Sequence, residues 1–379
     1  MPRTGTTYDG RPLRALLVGT GQMGLAWLRT LAAHPGVTLA GLVDLDERRA
    51  LGAAIRTGNR QVPIAARLLP LAHDTAADFV INTASPDAHH ALSLEALEAA
   101  LPVLSEKPLA ATLPQAVQLT ALSSTTGVFL MVAQNRYHHP QLTYVREQVR
   151  RLGSVGLISC EFLRAPRFGG FRDSMAHPLL LDMAVHAFDT ARDLAGGVPL
   201  SVQCEEFNPP WSWYAGAAGA CATFTFDGGT RFAYTGSWCS PGLETSWNGH
   251  WRVSAERGSV RWDGTTVTVQ EAATGGEDPT EHTDGTVAQE PGGLREVLDD
   301  FLTALRTGSE PWGACRNNLL STAMPHAAVA AARGGHRVLV ADVLAAAAHD
   351  AARDAPPHVA EALAAWRLPE PAASVSAGA

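Results

Sequence analysis

Residues 13–44 read LRALLVGTGQMGLAWLRTLAAHPGVTLAGLVD, and the order of features in this stretch decides the fold. An apolar run, Leu13–Val18, ends in Gly19-Thr20-Gly21-Gln22-Met23-Gly24. Leu25, Leu28, Leu31 and Ala32 then recur on one helical face until His34-Pro35-Gly36 stops the helix. A second apolar strand, Val37–Val43, ends at Asp44, 20 residues beyond Gly24. A G-x-G-x-x-G run alone is an ordinary strand-to-helix turn. With a strand before it, a helix after it and an acid at that distance, it is the fingerprint of dinucleotide binding. Gly19 permits the tight turn, Gly21 lets a pyrophosphate approach the helix N-terminus, and Gly24 lets helix and strand pack closely. Gln22 and Met23 open that helix and complete the phosphate-binding turn. Asp44 is placed to accept hydrogen bonds from the adenosine ribose. A carboxylate there repels a 2′-phosphate and favours NAD, although Arg48 and Arg49 in the adjoining DLDERR could grip a phosphate, which leaves NADP possible.

The alternation continues outward from this unit. Ala77–Ala84 is another apolar strand, ending in Ser85-Pro86-Asp87-Ala88-His89-His90. A helix over 91–99 leads to a strand over Pro102–Ser105 and to Glu106-Lys107-Pro108. A helix over Leu113–Thr126 then leads to a strand over Val128–Ala133 and to Gln134-Asn135-Arg136-Tyr137. Strands alternating with helices form a parallel, doubly wound sheet whose ligands lie beyond the strand C-termini. Thr83, Ser85, Pro86, His90, Glu106, Lys107 and Gln134 all fall at such ends.

The totals exclude several classes. The chain has 379 residues, a net charge of −8 and no long Lys/Arg run, which argues against nucleic acid as a partner. The five cysteines are scattered, with no C-x-x-C pair, so neither a structural zinc nor a disulfide framework is indicated. The first residues, MPRTGTTYDGRP, lack the apolar core of a signal peptide, and no apolar run approaches the roughly 18 residues that span a bilayer. A soluble, cytoplasmic protein is the expectation.

Four segments taken together, VGTGQMG, TASPDAHH, SEKPLA and VAQNRYHHP, resemble the Gfo/Idh/MocA oxidoreductases. The similarity runs from about Leu13 to about Val340. It implies an α/β chain: a Rossmann domain over 12–136 and an α+β domain over 137–345 with a large, mostly antiparallel open-faced sheet; the Ala-rich composition of 346–379 reads as a C-terminal helix and tail. By position, Pro86 and His90 match the loop near the nicotinamide, and Lys107 matches the family's active-site lysine. One departure stands out: family members often carry an Arg-aromatic pair two residues before the proline of the last segment, where this chain has Tyr137-His138. Arg136 could serve instead, and its role is open.

From Arg151 the texture changes. Val155–Leu163 reads as a strand, 165–174 as a Gly/Arg-rich loop, and 177–197 as a helix opened by Pro178 and closed by Gly196-Gly197. Asp182, His186, Asp189 and Asp193 are spaced to share one face of that otherwise apolar helix. A solvated polar stripe is the plain reading, and metal ligation by His177, Asp182 and His186 is a further one. The expectation adopted is no metal, because the lysine and the nucleotide loop already account for hydride chemistry without one; the resemblance matches the Asp182-x-x-x-His186 spacing to two members of a Lys/Asp/His group. Six of the nine tryptophans fall in 202–263, where alternating runs such as Cys221–Phe226, Thr230–Tyr234 and Trp251–Ala255 read as antiparallel strands. Tryptophans in the loops 208–216 and 236–247 suit stacking on a sugar or polyol, or a subunit interface in a homodimer or homotetramer. Gly275–Gly293 reads as a polar, mobile loop.

These readings converge on an NAD(P)-dependent dehydrogenase or reductase of a secondary alcohol or ketone in a sugar, polyol or related small molecule. His186 is the preferred general acid/base, since an unperturbed imidazole titrates near 6.5. Asp182 binds substrate or orients the imidazole, and Lys107 stabilises charge on the reacting oxygen or itself carries the proton. Two other readings stay open: a catalytically silent dinucleotide-binding scaffold, and a lyase or hydrolase that cycles NAD through a transient ketone.

Overall fold

The computed structural model describes residues 10–272, 281–284 and 293–368, with only the backbone of 281–284. Most of the amino-terminal leader, much of the Gly275–Gly293 reading and the small polar end lie outside the described residues. The described chain divides into two units: 10–135, 293–319 and 347–368 form the first, and 136–272, 281–284 and 320–346 form the second.

The first unit runs β1 (Leu13–Val18), α1 (Gln22–Ala32), β2 (Val37–Val43), α2 (Glu47–Arg56), β3 (Ile64–Ala65), α3 (Leu68–Asp74), β4 (Phe79–Asn82), α4 (Pro86–Glu98), β5 (Val103–Ser105), α5 (Leu113–Thr126) and β6 (Leu130–Val132). Its six strands are all parallel in the order β3-β2-β1-β4-β5-β6. β4, β5 and β6 are buried at every residue, as the near-continuous apolar runs of a parallel sheet covered on both faces require. Topology reverses at β1, whose two neighbours are β2 and β4, and that is where the Gly19–Gly24 turn emerges.

The second unit begins with α6 (Pro140–Leu152), β7 (Val155–Leu163), the short α7 (Phe171–Ser174), a π-helical turn over Leu179–Met183 and α8 (Ala184–Ala195). β8 (Pro199–Phe207), β9 (Gly219–Phe226), β10 (Arg231–Ser237), β11 (His250–Ala255), β12 (Gly258–Trp262), β13 (Val267–Glu271) and β14 (Glu281–Asp284) follow. Then come α9 (Leu294–Thr307), α10 (Cys315–Gly334), β15 (Val338–Leu339), α11 (Val340–Arg353) and α12 (Pro357–Ala365). The nine-stranded sheet has the order β14-β13-β12-β11-β7-β10-β9-β8-β15, and among these pairings only β10 with β7 is parallel. Burial alternates along β9 and β10, so one face is packed and the other open. On the packed face Phe188 of α8 meets Phe224 at 4.8 Å and Tyr234 at 5.2 Å, with Phe232 stacked 6.1 Å from Trp251.

Two features depart from the sequence reading. The range 137–345 is not one body, because α9 packs in the first unit: Val297, Leu298, Phe301 and Leu302 join its core, with Phe301 5.2 Å from Phe79. The 177–197 helix is not uniformly α-helical. The π turn over Leu179–Met183 adds a residue to the turn that holds Asp182, so Asp182 leaves the α-helical register of His186, Asp189 and Asp193.

Candidate active site

The strand registers set the first unit's residues on one line. Val18 is level with Val43 and Asn82, Asn82 with Ser105, and Ser105 with Val132. The turn at 19–24, Asp44, Thr83 to His90, Glu106-Lys107 and Gln134 therefore all leave the sheet along its C-terminal edge.

The glycine turn divides its labour by position. Gly19 has φ +88°, and a Cβ there would lie 2.7 Å from the Ala84 backbone; a Cβ on Gly24 would collide with Gly19 O. Gly21, the N-cap of α1, is different: its φ is −69°, and nothing lies within 4 Å of a Cβ added there. No side chain caps α1, and its first turn holds no acid. Gln22 and Met23 thus begin a helix with no side-chain cap and no acid in its first turn, features that suit a pyrophosphate.

Asp44 is buried, and burial pushes its carboxyl up. Hydrogen bonds outweigh that effect and hold it at about 2, from Arg49, from the Thr20 hydroxyl and from the Asp46 and Thr20 amides. Thr83 serves the loop itself, donating to Gly19 O at 2.6 Å. Ser85 caps α4 without a side-chain bond and Pro86 opens that helix. Burial lowers the pKa of half-buried His90. Gln134 is buried at the end of β6.

Lys107 is half-buried, is joined to Pro108 by a cis peptide bond and sits on a turn built on two buried neighbours. Glu106 accepts from Trp27 Nε1 at 2.8 Å and from Lys107 N at 3.3 Å, while burial pushes its carboxyl up. His89 sets one ring nitrogen 2.6 Å from Pro108 O and the other 3.0 Å from Ala84 O. It therefore ties the Ala84 loop to the lysine turn. Trp27 and His89 escape sequence reading because each looks like ordinary helix filling; the only signal is a polar atom on a residue that the periodicity buries.

In the second unit Asp182 is buried and accepts from Arg172 Nε at 2.6 Å. Arg172 sits on the rings of Phe171 (4.7 Å) and Phe168 (5.5 Å). The Gly/Arg-rich composition of 165–174 was the available signal for this partner. His186 is buried one turn on. The rest of the stripe is structural: Asp193 pairs with Arg146 at 2.7 Å, and Asp189 accepts from Ser321, which itself accepts from Arg192 Nε at 2.8 Å. His177 lies between Glu206 Oε2 (2.7 Å) and Arg333 Nη2 (2.8 Å), a setting in which Nε2 accepts and Nδ1 donates. Arg136 is near Cys160 and Tyr234, and burial lowers its pKa to about 10. Two of the loop tryptophans carry an arginine: Arg167 lies 4.0 Å over Trp213 and Arg164 lies 4.5 Å over Trp247, while Trp211 is 63% exposed.

A cavity of about 560 Å³ in the first unit lies elsewhere. Ala100–Pro102, Val128–Leu130 and Gly308–Glu310 line it, at the edge where the strands begin. It is not where this sheet presents the glycine turn.

The profile of the oxidoreductase family with NAD-binding Rossmann fold matches residues 13–134, and that of the Gfo/Idh/MocA C-terminal domain matches 144–261. An uncharacterized protein of Sinorhizobium fredii is 28% identical over 266 residues, covering 66% of this chain and 72% of its own. Inositol 2-dehydrogenase 1 of Saccharopolyspora erythraea is 32% identical over 185 residues, 48% of this chain and 53% of that relative. Among solved structures, an Agrobacterium radiobacter oxidoreductase in complex with NAD⁺, L-tartaric acid and magnesium aligns with a TM-score of 0.78 at 18% identity, over 87% of this chain and 99% of the other. A levoglucosan dehydrogenase complexed with NADH and levoglucosan aligns at 0.76 and 17% identity, over 87% and 100%. With both domain profiles matched and the glycine turn shaped for a pyrophosphate, the chain belongs to the Gfo/Idh/MocA family of NAD-binding oxidoreductases.

Proposed function

We propose that this chain transfers a hydride between NAD and the carbinol or carbonyl carbon of a sugar, polyol or related small molecule. The observation that carries the reading is Lys107, presented at the end of β5 on the same sheet edge as the glycine turn and Asp44. The inositol and levoglucosan dehydrogenases named above support the substrate class.

Bound NAD supplies the hydride acceptor; the chain must hold the carbinol carbon and manage one proton. In the oxidation direction we assign uptake of the hydroxyl proton to the imidazole of His186, and stabilisation of developing negative charge to the Lys107 ammonium. Asp182, held by Arg172, accepts a substrate hydroxyl and fixes its orientation. The open face of the nine-stranded sheet, with Gln203, Thr223, Arg231 and Arg252 exposed, serves self-association into a dimer or tetramer.

The test is NAD reduction with a panel of sugars and polyols, followed by pH profiles of His186→Asn and Lys107→Met. Removing the base lowers kcat by about 10²–10⁴-fold and abolishes the acid-side inflection. Removing the lysine lowers kcat by about 10²–10³-fold and keeps that inflection. A His186→Asn enzyme with its rate retained transfers the proton role to Lys107. Silence with every substrate in both directions overturns the reading.

A further inference from the structure

The carboxylate that should receive the adenosine ribose already has its hydrogen-bonding capacity filled. Asp44 Oδ2 accepts from Thr20 N at 2.9 Å, Thr20 Oγ1 at 2.5 Å and Arg49 Nε at 3.1 Å. Oδ1 accepts from Asp46 N at 3.0 Å and Arg49 Nη2 at 2.5 Å. A carboxylate offers roughly four lone-pair sites, and five donors converge on this one. Its side chain is 2% exposed, whereas that of Arg49 is 53% exposed. What meets the solvent at the end of β2 is therefore a guanidinium.

Its surroundings carry both signs. Arg48 is exposed beside it. Arg67, also exposed, caps α3 two residues after Ala65, whose carbonyl accepts the Asp44 amide at 3.1 Å. The nearby acids are Asp46, which caps α2 by accepting from the Arg48 and Arg49 amides, and Glu47, both exposed. Three arginines thus gather at one edge of a chain whose net charge is −8.

We infer that this edge accepts the 2′-phosphorylated dinucleotide NADP(H) as well as NAD(H), and that Arg49 is the residue that sets the choice. A bare carboxylate repels a 2′-phosphate. Arg49 cancels that charge by a two-point fork and leaves its outer N–H groups for the phosphate, the geometry in which guanidinium binds such groups best. Because Asp44 already holds the guanidinium, binding does not have to order it. The unphosphorylated ribose has the opposite need: its hydroxyls reach Asp44 only where Arg49 yields a position. The inference rests on the dinucleotide site of this family and concerns which dinucleotide that site prefers.

The experiment is calorimetric titration of the full-length protein with 5′-AMP and 2′,5′-ADP, then NADH and NADPH, for wild type, Arg49→Ala and Arg49→Gln. The fragments read the adenosine end without catalysis. Wild type is expected to bind 2′,5′-ADP at least as tightly as 5′-AMP. Both variants are expected to lose about ten- to a hundredfold on 2′,5′-ADP and NADPH, the effect of one hydrogen bond to a charged group, while AMP and NADH bind unchanged or tighter. Wild type binding 2′,5′-ADP more than tenfold more weakly than AMP overturns the inference, as does an equal loss of both ligands in the variants. If wild type binds neither NADH nor NADPH, the dinucleotide site itself fails and takes this inference with it. The wild-type comparison decides the matter even if a variant misfolds.

Discussion

On the proposed role of Asp182, Arg172 matters to chemistry without adding much to stability. Its Nε bonds Asp182 at 2.6 Å, yet the arginine is 31% exposed at its side chain and the carboxylate 8%. A pair so open to water on one side adds about 0–1 kcal/mol. Arg172→Ala should therefore move the melting temperature by only a few degrees, about 2–4 °C per kcal/mol for a chain of this size. The carboxylate it orients would lose its fixed direction, and kcat should drop about tenfold or more, with partial recovery in Arg172→Lys. Measured together, melting and a kcat-against-KM split separate the two effects. A variant that melts far lower, or one that changes KM alone, would remove Arg172 from the positioning role.

At the scale of an element, the turn into α1 makes opposite demands on two of its glycines. Gly24 faces Gly19 O, so Gly24→Ala has to push the helix off the strand and should destabilise the fold itself. Gly21 has an ordinary φ of −69° and open space at its Cβ position, so alanine meets no clash there and loses only the small N-cap preference for glycine. Its larger cost should appear when a pyrophosphate approaches the uncapped amides. Gly21→Ala is expected to melt as wild type does and to bind NADH about tenfold or more weakly, the loss typical of a charge-assisted hydrogen bond held away from its partner. Equal NADH affinity in calorimetry would place the pyrophosphate elsewhere. The π turn before α8 works in the other direction: by taking Asp182 out of the α-helical register, it divides the acidic stripe between Arg172 on one side and the Arg146, Arg192 and Ser321 group on the other.

For the molecule as a whole, the first unit was legible because its signals are local. The strand, glycine turn, helix and acid of 13–44 are each set by neighbours in sequence, and the structure gives them the expected order and register. What sequence could not show depends on contacts made across long separations. The four apolar residues of α9 reveal one buried stripe and not which core receives it. The π turn leaves no trace in the spacing of Asp182 and His186. The fork of Arg49 on Asp44 needs coordinates, since two arginines after an acid read equally well as solvated charges. The α9 assignment has a direct check. Val297, Leu298, Phe301 and Leu302 are buried in the first unit, and each contributes about 1.5–3 kcal/mol on burial. Together they approach the entire stability of a domain, about 5–15 kcal/mol. A fragment ending at residue 136 should therefore lack a cooperative thermal transition, and a sharp melt in circular dichroism would show that α9 is dispensable.

α12 packs on α5, and Gln118 Nε2 donates to Ala351 O at 2.9 Å, so the nucleotide-binding unit needs residues more than 200 positions later in the chain. On the ribosome this inverts the usual order of completion. About 230 residues separate Asn135 from the end of α12, on the order of 10–50 s of synthesis at about 5–20 residues per second. The glycine turn emerges well before the core beneath it can close.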